Sequence, residues 1–304
     1  MSDWQLIAVR FGVYSALAML FGLSAFGLYG LRGSGRRDAL AFRGWLIASS
    51  VAGLFLSASW LLLMASSMAD VPLWPVDRAA IDGLLSGSAI ATAWKVRMIA
   101  LLVAGFAATR TRWLPVVAAS SAVALASLAW TGHGSVGERM PGWGHLGADI
   151  LHLMASAAWV GALVGLILLI SRPVARIDRE HLDLTHRALH GFGAVGTMIV
   201  ATIVVTGLIN SWFMVGIGNL ASLPTTLYGQ LLLAKLALFA GMLALAALNR
   251  FRLTPAFERS IAAGDHPGAL GALRKSLALE TACVTMILAL VAWLGTLDPP
   301  TSAM

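Results

Sequence analysis

The chain has 304 residues, 59% of them hydrophobic and only 12% charged, with a mean hydropathy of +0.82. Soluble domains carry about 25% charged residues, so a chain this poor in charge cannot cover a water-facing surface, and its solvent is lipid. The net charge of +7 sits in short loops between apolar runs, with no nucleic-acid motif, and reads as membrane topology.

A span needs about 20 apolar residues to cross the hydrocarbon layer. Eight segments qualify: Ile7–Leu31, Gly44–Met68, Ala91–Thr109, Trp113–Trp130, Leu146–Ile170, Ala188–Met214, Tyr228–Leu248 and Ser276–Leu297. The N-terminus lacks the basic region of a secretory signal, so the first run is expected to stay as a span. The fold class expected is therefore all-α, a polytopic bundle of about eight transmembrane helices, forming a single membrane domain over 1–304.

Loop charges fix the expected orientation. Fifteen of the 21 basic residues lie in alternate loops: Arg32 to Arg43, Arg110 and Arg112, Arg172 to Arg187, and Arg250 to Lys275. The opposite loops hold only Arg78 and Arg139. The positive-inside rule then makes the basic side cytosolic and puts both termini in the periplasm. On the outer side, the loop Ala69–Ile90 leaves room for a short surface helix. The loop Thr131–His145 reads as irregular because of its glycines and Pro141. On the inner side, the chain after span seven is expected to break at Pro255 and at Pro267-Gly268.

The sharpest chemical signal is the fifth span and the loop before it. His145, Asp149, His152, Ser156 and Trp159 are spaced 4, 3, 4 and 3, which puts them on one helix face. The span enters from the outer side, so His145 is expected at the interface, with Asp149 and His152 about one and two turns inside. His133 in the preceding loop can fold back over that end. Imidazole suits copper, zinc or nickel, and a carboxylate ligates or orients. The competing reading is a structural Asp149–His152 pair with interfacial anchors on either side. Ionisable groups in a membrane are costly, which favours function.

Other candidates are less specific. Met64 and Met68, spaced i,i+4 at the outer end of span two, offer thioethers suited to Cu(I) but are also ordinary apolar filler. Lys95 and Arg97 lie near the outer end of span three, and one of them, or Arg10, is expected to pair with Asp149. Lys235 lies deeper, with Asn210 as a candidate neighbour. His186 and His190 start span six and read either as an inner exit site or as interfacial side chains in water. Glu280 is expected to pair with Arg274 or Lys275. The one cysteine, Cys283, reads as an apolar filler.

Several runs carry a family resemblance. They are Gly132-His133 through Asp149 and His152 to Trp159-Val160-Gly161, then Tyr228-Gly229 through Lys235 to Asn249-Arg250 and Pro255, and finally Leu273-Arg274, Glu280 and Asp298-Pro299-Pro300. Taken in order, they resemble the copper resistance protein D family (CopD, or PcoD) over the whole chain, most specifically over 130–300. The resemblance implies an inner-membrane protein of copper homeostasis, working with a separate periplasmic CopC-like copper-binding protein. The choice of copper over other soft metals comes from the resemblance alone, and both Cu(I) and Cu(II) remain open.

Three functional readings follow. The first is a copper transporter and not an enzyme. Metal is received by His133 and His145 and passed to Asp149 and His152, Met64 and Met68 assist with Cu(I), and Lys95, Arg97, Asn210, Lys235 and Trp159 either shape the path and balance its charge or serve as structural polar ties. No phosphate-binding GxxxxGK[ST] run is present, which argues against direct ATP-driven pumping. The second is a haem-binding electron carrier or oxidoreductase. His152 and His190 are too far apart along the membrane normal to share an iron, which leaves Lys95 or Lys235 as a second ligand. The third is a metal sensor or assembly partner without transport.

Overall fold

In the computed structural model, residues 3–31, 39–70, 74, 77–131, 140–171, 179–263 and 267–300 are described. Among these, every regular element is helical: α1 (Asp3–Tyr29), α2 (Ala39–Ala69), α3 (Arg78–Leu85), α4 (Ala89–Ala108), α5 (Leu114–Ala126), α6 (Met140–Ile170), α7 (Arg179–Met214), α8 (Leu227–Leu248), α9 (Thr254–Ala263) and α10 (Pro267–Leu294). Seven helices are long and apolar enough to cross a membrane, and Leu114–Trp130 is a shorter apolar helix. The chain is a multi-pass α-helical membrane protein.

Large apolar side chains stand outward around the bundle, including Phe55, Phe106, Met198, Leu208 and Trp212, each more than half exposed. That surface is stable only against lipid. The inward faces close on α1, which packs against α2, α5, α6 and α10. Leu17, Leu20 and Phe26 of α1 are fully buried there.

The crossing of α1 and α6 sets the geometry of the site. Helices in lipid gain little from the hydrophobic effect and adhere through close packing of small residues. Gly22 and Gly161 meet backbone to backbone: a Cβ on Gly161 would fall 1.8 Å from the Gly22 carbonyl carbon. Gly165, one turn on, faces the Phe26 ring. This small-residue stripe presses one face of α6 onto α1. Another face, carrying Asp149 and His152, turns toward α7.

Three prolines expected to break the chain each begin a helix, and at Pro267 that start follows the end of α9 at Ala263, so a change of helix falls where it was expected. Pro141, Pro255 and Pro267 all sit in the first turn of a helix. There proline's missing N–H costs nothing and its fixed φ suits the helix. As a result α6 starts at Met140, so His145 lies within the helix and not at a loop end. The outer loop does hold a surface helix, α3, capped by Asp77, which accepts from the Ala79 N–H at 2.8 Å. Between α8 and α9 the chain widens into a π-helical turn over Asn249–Leu253.

Candidate functional site

α6 packs against both α1 and α7, and α8 packs against α10, while α7 and α8 hardly touch. The gap between these pairs is a run of three cavities. The outer one, of about 230 Å³, is lined by Arg10, Tyr14, His145, Asp149, His152, Asn210, Met214, Tyr228 and Lys235. The lateral one, of about 510 Å³, shares His152, Ser156 and Lys235 with it, is otherwise largely apolar, and also meets Trp159, Phe239 and Met242. The inner one, of about 590 Å³, reaches Trp159 from the other side and is lined by His190, Asn249, Arg250, Glu258 and Glu280. Trp159 is buried, lies edge-on to Phe192 at 5.4 Å and forms the wall between lateral and inner cavities.

The polar groups of the outer cavity come from different helices. His152 Nδ1 lies 3.0 Å from Thr206 Oγ1 of α7. The Thr206 hydroxyl donates to the Thr202 carbonyl at 2.6 Å, so its oxygen is left to accept. That assigns the ring proton to Nδ1 and leaves Nε2 with its lone pair. Asn210 Nδ2 of α7 donates to Asp149 Oδ1 at 3.4 Å, and the buried Asn210 Oδ1 has no hydrogen-bond partner among the described residues. His145 stacks on Phe213, ring centroids 4.8 Å apart. The Tyr228 hydroxyl donates to Met214 Sδ at 3.8 Å. Arg10 reaches into the cavity over Gly295, where a Cβ would fall 2.1 Å from its Nη2, and donates to the Tyr14 hydroxyl at 3.0 Å.

The sequence-derived residues divide accordingly. His145, Asp149, His152, Asn210 and Lys235 share the outer cavity. Asn210 was expected beside Lys235, and its hydrogen bond goes to Asp149. His133 lies outside the described residues, as does the side chain of His186. Met64 is half-buried and Met68 is 70% exposed; they lie on α2, which packs against α1, α3 and α4. Neither methionine lines the outer cavity, whereas Met214 does.

Lys95 and Arg97 have structural partners. Lys95 Nζ donates to the Leu85 carbonyl at 3.2 Å, at the C-terminal end of α3, where a cation complements the helix dipole. Arg97 is 1% exposed, donates through Nε to Ser127 Oγ at 2.9 Å and lies over the Trp60 ring. Glu280 accepts from Asn249 across two spans, while Arg274 Nε donates to the Ile170 carbonyl at 2.7 Å. Met214, Tyr14 and Tyr228 are not among the candidate site residues that the sequence pattern picks out. These residues show no helical stripe of their own, and only the α1–α6–α7–α8 arrangement gathers them.

Among the described residues, no three His, Cys, Asp or Glu side chains come close enough to hold an ion together. The donors are instead strung along the α6 axis. At 1.5 Å per residue, His145 to Asp149 rises about 6 Å and Asp149 to His152 about 4.5 Å. Imidazole nitrogen and thioether sulfur are donors that borderline and soft metals accept, and the carboxylate and amide oxygens beside them are harder donors. His190 lines the inner cavity and His152 the two outer ones, so these histidines do not share an iron-binding space.

The fold and its cavities define a class: a polytopic α-helical membrane protein with metal-compatible side chains in an outward cavity between helix pairs. The chain belongs to the copper resistance protein D family. The family described as "Copper resistance protein D-like, N-terminal domain" matches residues 1–145, and "Copper resistance protein D" matches residues 186–294. The chain is 42% identical over 310 aligned positions to Copper resistance protein D of Pseudomonas syringae pv. tomato, covering 100% of this chain and 99% of that one. It is 25% identical to the Inner membrane protein YebZ of Escherichia coli (strain K12), over 96% of this chain and 98% of that one. A stretch of 130 residues, 43% of this chain, is 37% identical to 23% of the Copper transport protein CutJ of Bacillus subtilis (strain 168). No solved structure matches the chain significantly.

Proposed function

We propose that this protein moves copper ions across the bacterial inner membrane, taking them from the periplasmic side. Family membership supports copper as the cargo. The single observation that carries the site is the outer cavity, where the His152 ring is oriented by Thr206 with the Nε2 lone pair free, beside Asp149 and Asn210. An imidazole whose other nitrogen donates to a fixed oxygen is the usual second-shell arrangement of a metal-binding histidine.

In this reading His145 receives the ion near the outer surface, with His133 as an additional outer donor. Asp149 and His152 take it inward, and Met214 supplies sulfur when the ion is Cu(I). Lys235, facing the same cavity, balances the Asp149 carboxylate once the ion has left. A charged side chain at this depth otherwise carries a cost of about 2.5–3.5 kcal/mol. Trp159 separates the outer and inner halves and must move for passage. A separate periplasmic CopC-like protein delivers the ion.

The test is copper uptake into proteoliposomes containing the full chain, beside the His152→Ala variant at equal protein content. Uptake by the wild type and loss in the variant support the reading. Equal uptake by both removes His152 from the path. A visible Soret band in the purified protein would point instead to haem ligation by His152 and Lys235, which line the same lateral cavity.

A further inference from the structure

The inner cavity holds polar groups that the outer site does not use. Glu280 of α10 is 2% exposed, and its one hydrogen-bond partner among the described residues is the Asn249 amide. Asn249 is 9% exposed, and among the described residues its buried Oδ1 has no partner. Ser276, one turn before Glu280 on the same face of α10, also has a buried hydroxyl with no partner among the described residues. Asn249 begins the π-helical turn, and π-turns inside helices recur at functional sites. Arg250 ties that turn to α7, donating to the Gly193 carbonyl at 2.9 Å and to Thr197 Oγ1.

We propose that Glu280 and Asn249 form a proton-binding site on the cytosolic side of the path. The coupling half of the proposal rests on the transport reading above; the proton-binding half does not. Asn249 can complement both states of the carboxyl group. Its Nδ2 donates to an ionised Glu280. When Glu280 takes a proton, the carboxyl O–H donates to Asn249 Oδ1 after the amide turns over, and that oxygen is the one now unpartnered. On release, the O–H bond breaks and the proton passes to water in the inner cavity, while the electron pair stays on the carboxylate. In transport, passage of a copper ion inward is accompanied by proton exchange at Glu280.

The charged and titratable groups facing this pocket are His190 from α7, Arg250 from the π-turn and Glu258 from α9, and Arg274 on α10 is held by the Ile170 carbonyl of α6. A sodium ion fits poorly. The Asn249 N–H group faces the Glu280 carboxylate, on a side where a cation would be repelled.

Infrared difference spectra of the full chain in liposomes across a pH titration test the site itself. The expected result is a protonated-carboxyl C=O band that shifts when wild-type protein is labelled with ¹³C-glutamate and disappears in Glu280→Gln. The label assigns the band to a glutamate, one of four in the chain. Glu280→Asp, which keeps a carboxyl group and should move the band off the glutamate label, serves if Glu280→Gln does not fold. Glu258→Gln, at the other glutamate of this cavity, should leave the band in place. A band unmoved by the label, retained in a folded Glu280→Gln protein, or responsive to sodium at fixed pH overturns the proposal.

Coupling is read with a pH-sensitive dye sealed inside copper-transporting proteoliposomes. Wild type is expected to give a copper-dependent pH change, and Glu280→Gln to lose it while still binding copper at the outer cavity. An unchanged signal in the variant overturns the coupling. If the wild type moves no copper, the transport reading and its coupling fall together, while the infrared band still decides whether Glu280 binds a proton.

Discussion

His152 on α6 and Thr206 on α7 are joined by a 3.0 Å hydrogen bond whose direction is set one step further on, because the Thr206 hydroxyl donates to the Thr202 carbonyl. One hydroxyl thereby fixes both the orientation and the tautomer of the imidazole. Thr206→Val keeps the shape of the side chain and removes the acceptor. Loss of such an outer partner typically costs about 10–100-fold in metal affinity, and that loss is expected in a copper competition titration of the purified variant. Thr206→Ser keeps the oxygen and should bind within a few-fold of wild type. Equal affinity in Thr206→Val would separate His152 from copper binding.

Lys235 and Asp149 face one cavity from α8 and α6. If Lys235 takes over the carboxylate charge as copper leaves, removing the ammonium group makes release harder. Lys235→Met is expected to retain more copper per chain after washing and to transport it more slowly, read by metal analysis and vesicle uptake on the same preparation. A variant that loses bound copper would show that Lys235 holds the site open and does not compete with the ion.

Much of this was legible in the sequence, for physical reasons. Lipid forces each span to be a long apolar helix, so the membrane segments could be counted without tertiary information. The α6 stripe was legible because its spacing is that of a helix face. What lay hidden was partnership between helices. Asn249 and Glu280 are 31 residues apart and Asp149 and Asn210 are 61 apart, and no local spacing connects them. Lys95 and Arg97 look like counter-ions for Asp149 when depth in the membrane is the only cue. The structure places them on α4, bonded to the end of α3 and to Ser127. Prolines misled for a local reason: the residue that stops a helix in its interior is well suited to its first turn.

The methionines give a sharp contrast. Met64 and Met68 share a helix face on α2 but do not line the outer cavity, whereas Met214 does and accepts from the Tyr228 hydroxyl. Met214→Leu preserves volume and removes sulfur, and should cost less than about 1.5 kcal/mol in stability while weakening Cu(I) binding. The Met64→Leu, Met68→Leu double variant should bind Cu(I) as wild type does. A Cu(I)-chelator competition on all three proteins checks this, and the reverse ranking would move the thioether site to α2.

The α6 face that carries Asp149 and His152 is placed by how closely α1 and α6 approach. At Gly161 a methyl group would fall 1.8 Å from the Gly22 carbonyl carbon, so the obstacle is backbone and no side-chain rotation relieves it. Gly161→Ala must push the helices apart, and the cost should reach or exceed the roughly 1–3 kcal/mol of an overpacked core. Gly147, on the same helix, has open space at its Cβ position. Gly147→Ala should instead stabilise by about 0.5–1 kcal/mol, through the helix preference for alanine. Thermal unfolding in detergent, followed by the loss of monodisperse protein, measures both. If Gly161→Ala melts with the wild type, the close crossing is not what positions the α6 face, and the register of Asp149 and His152 against α7 has another origin.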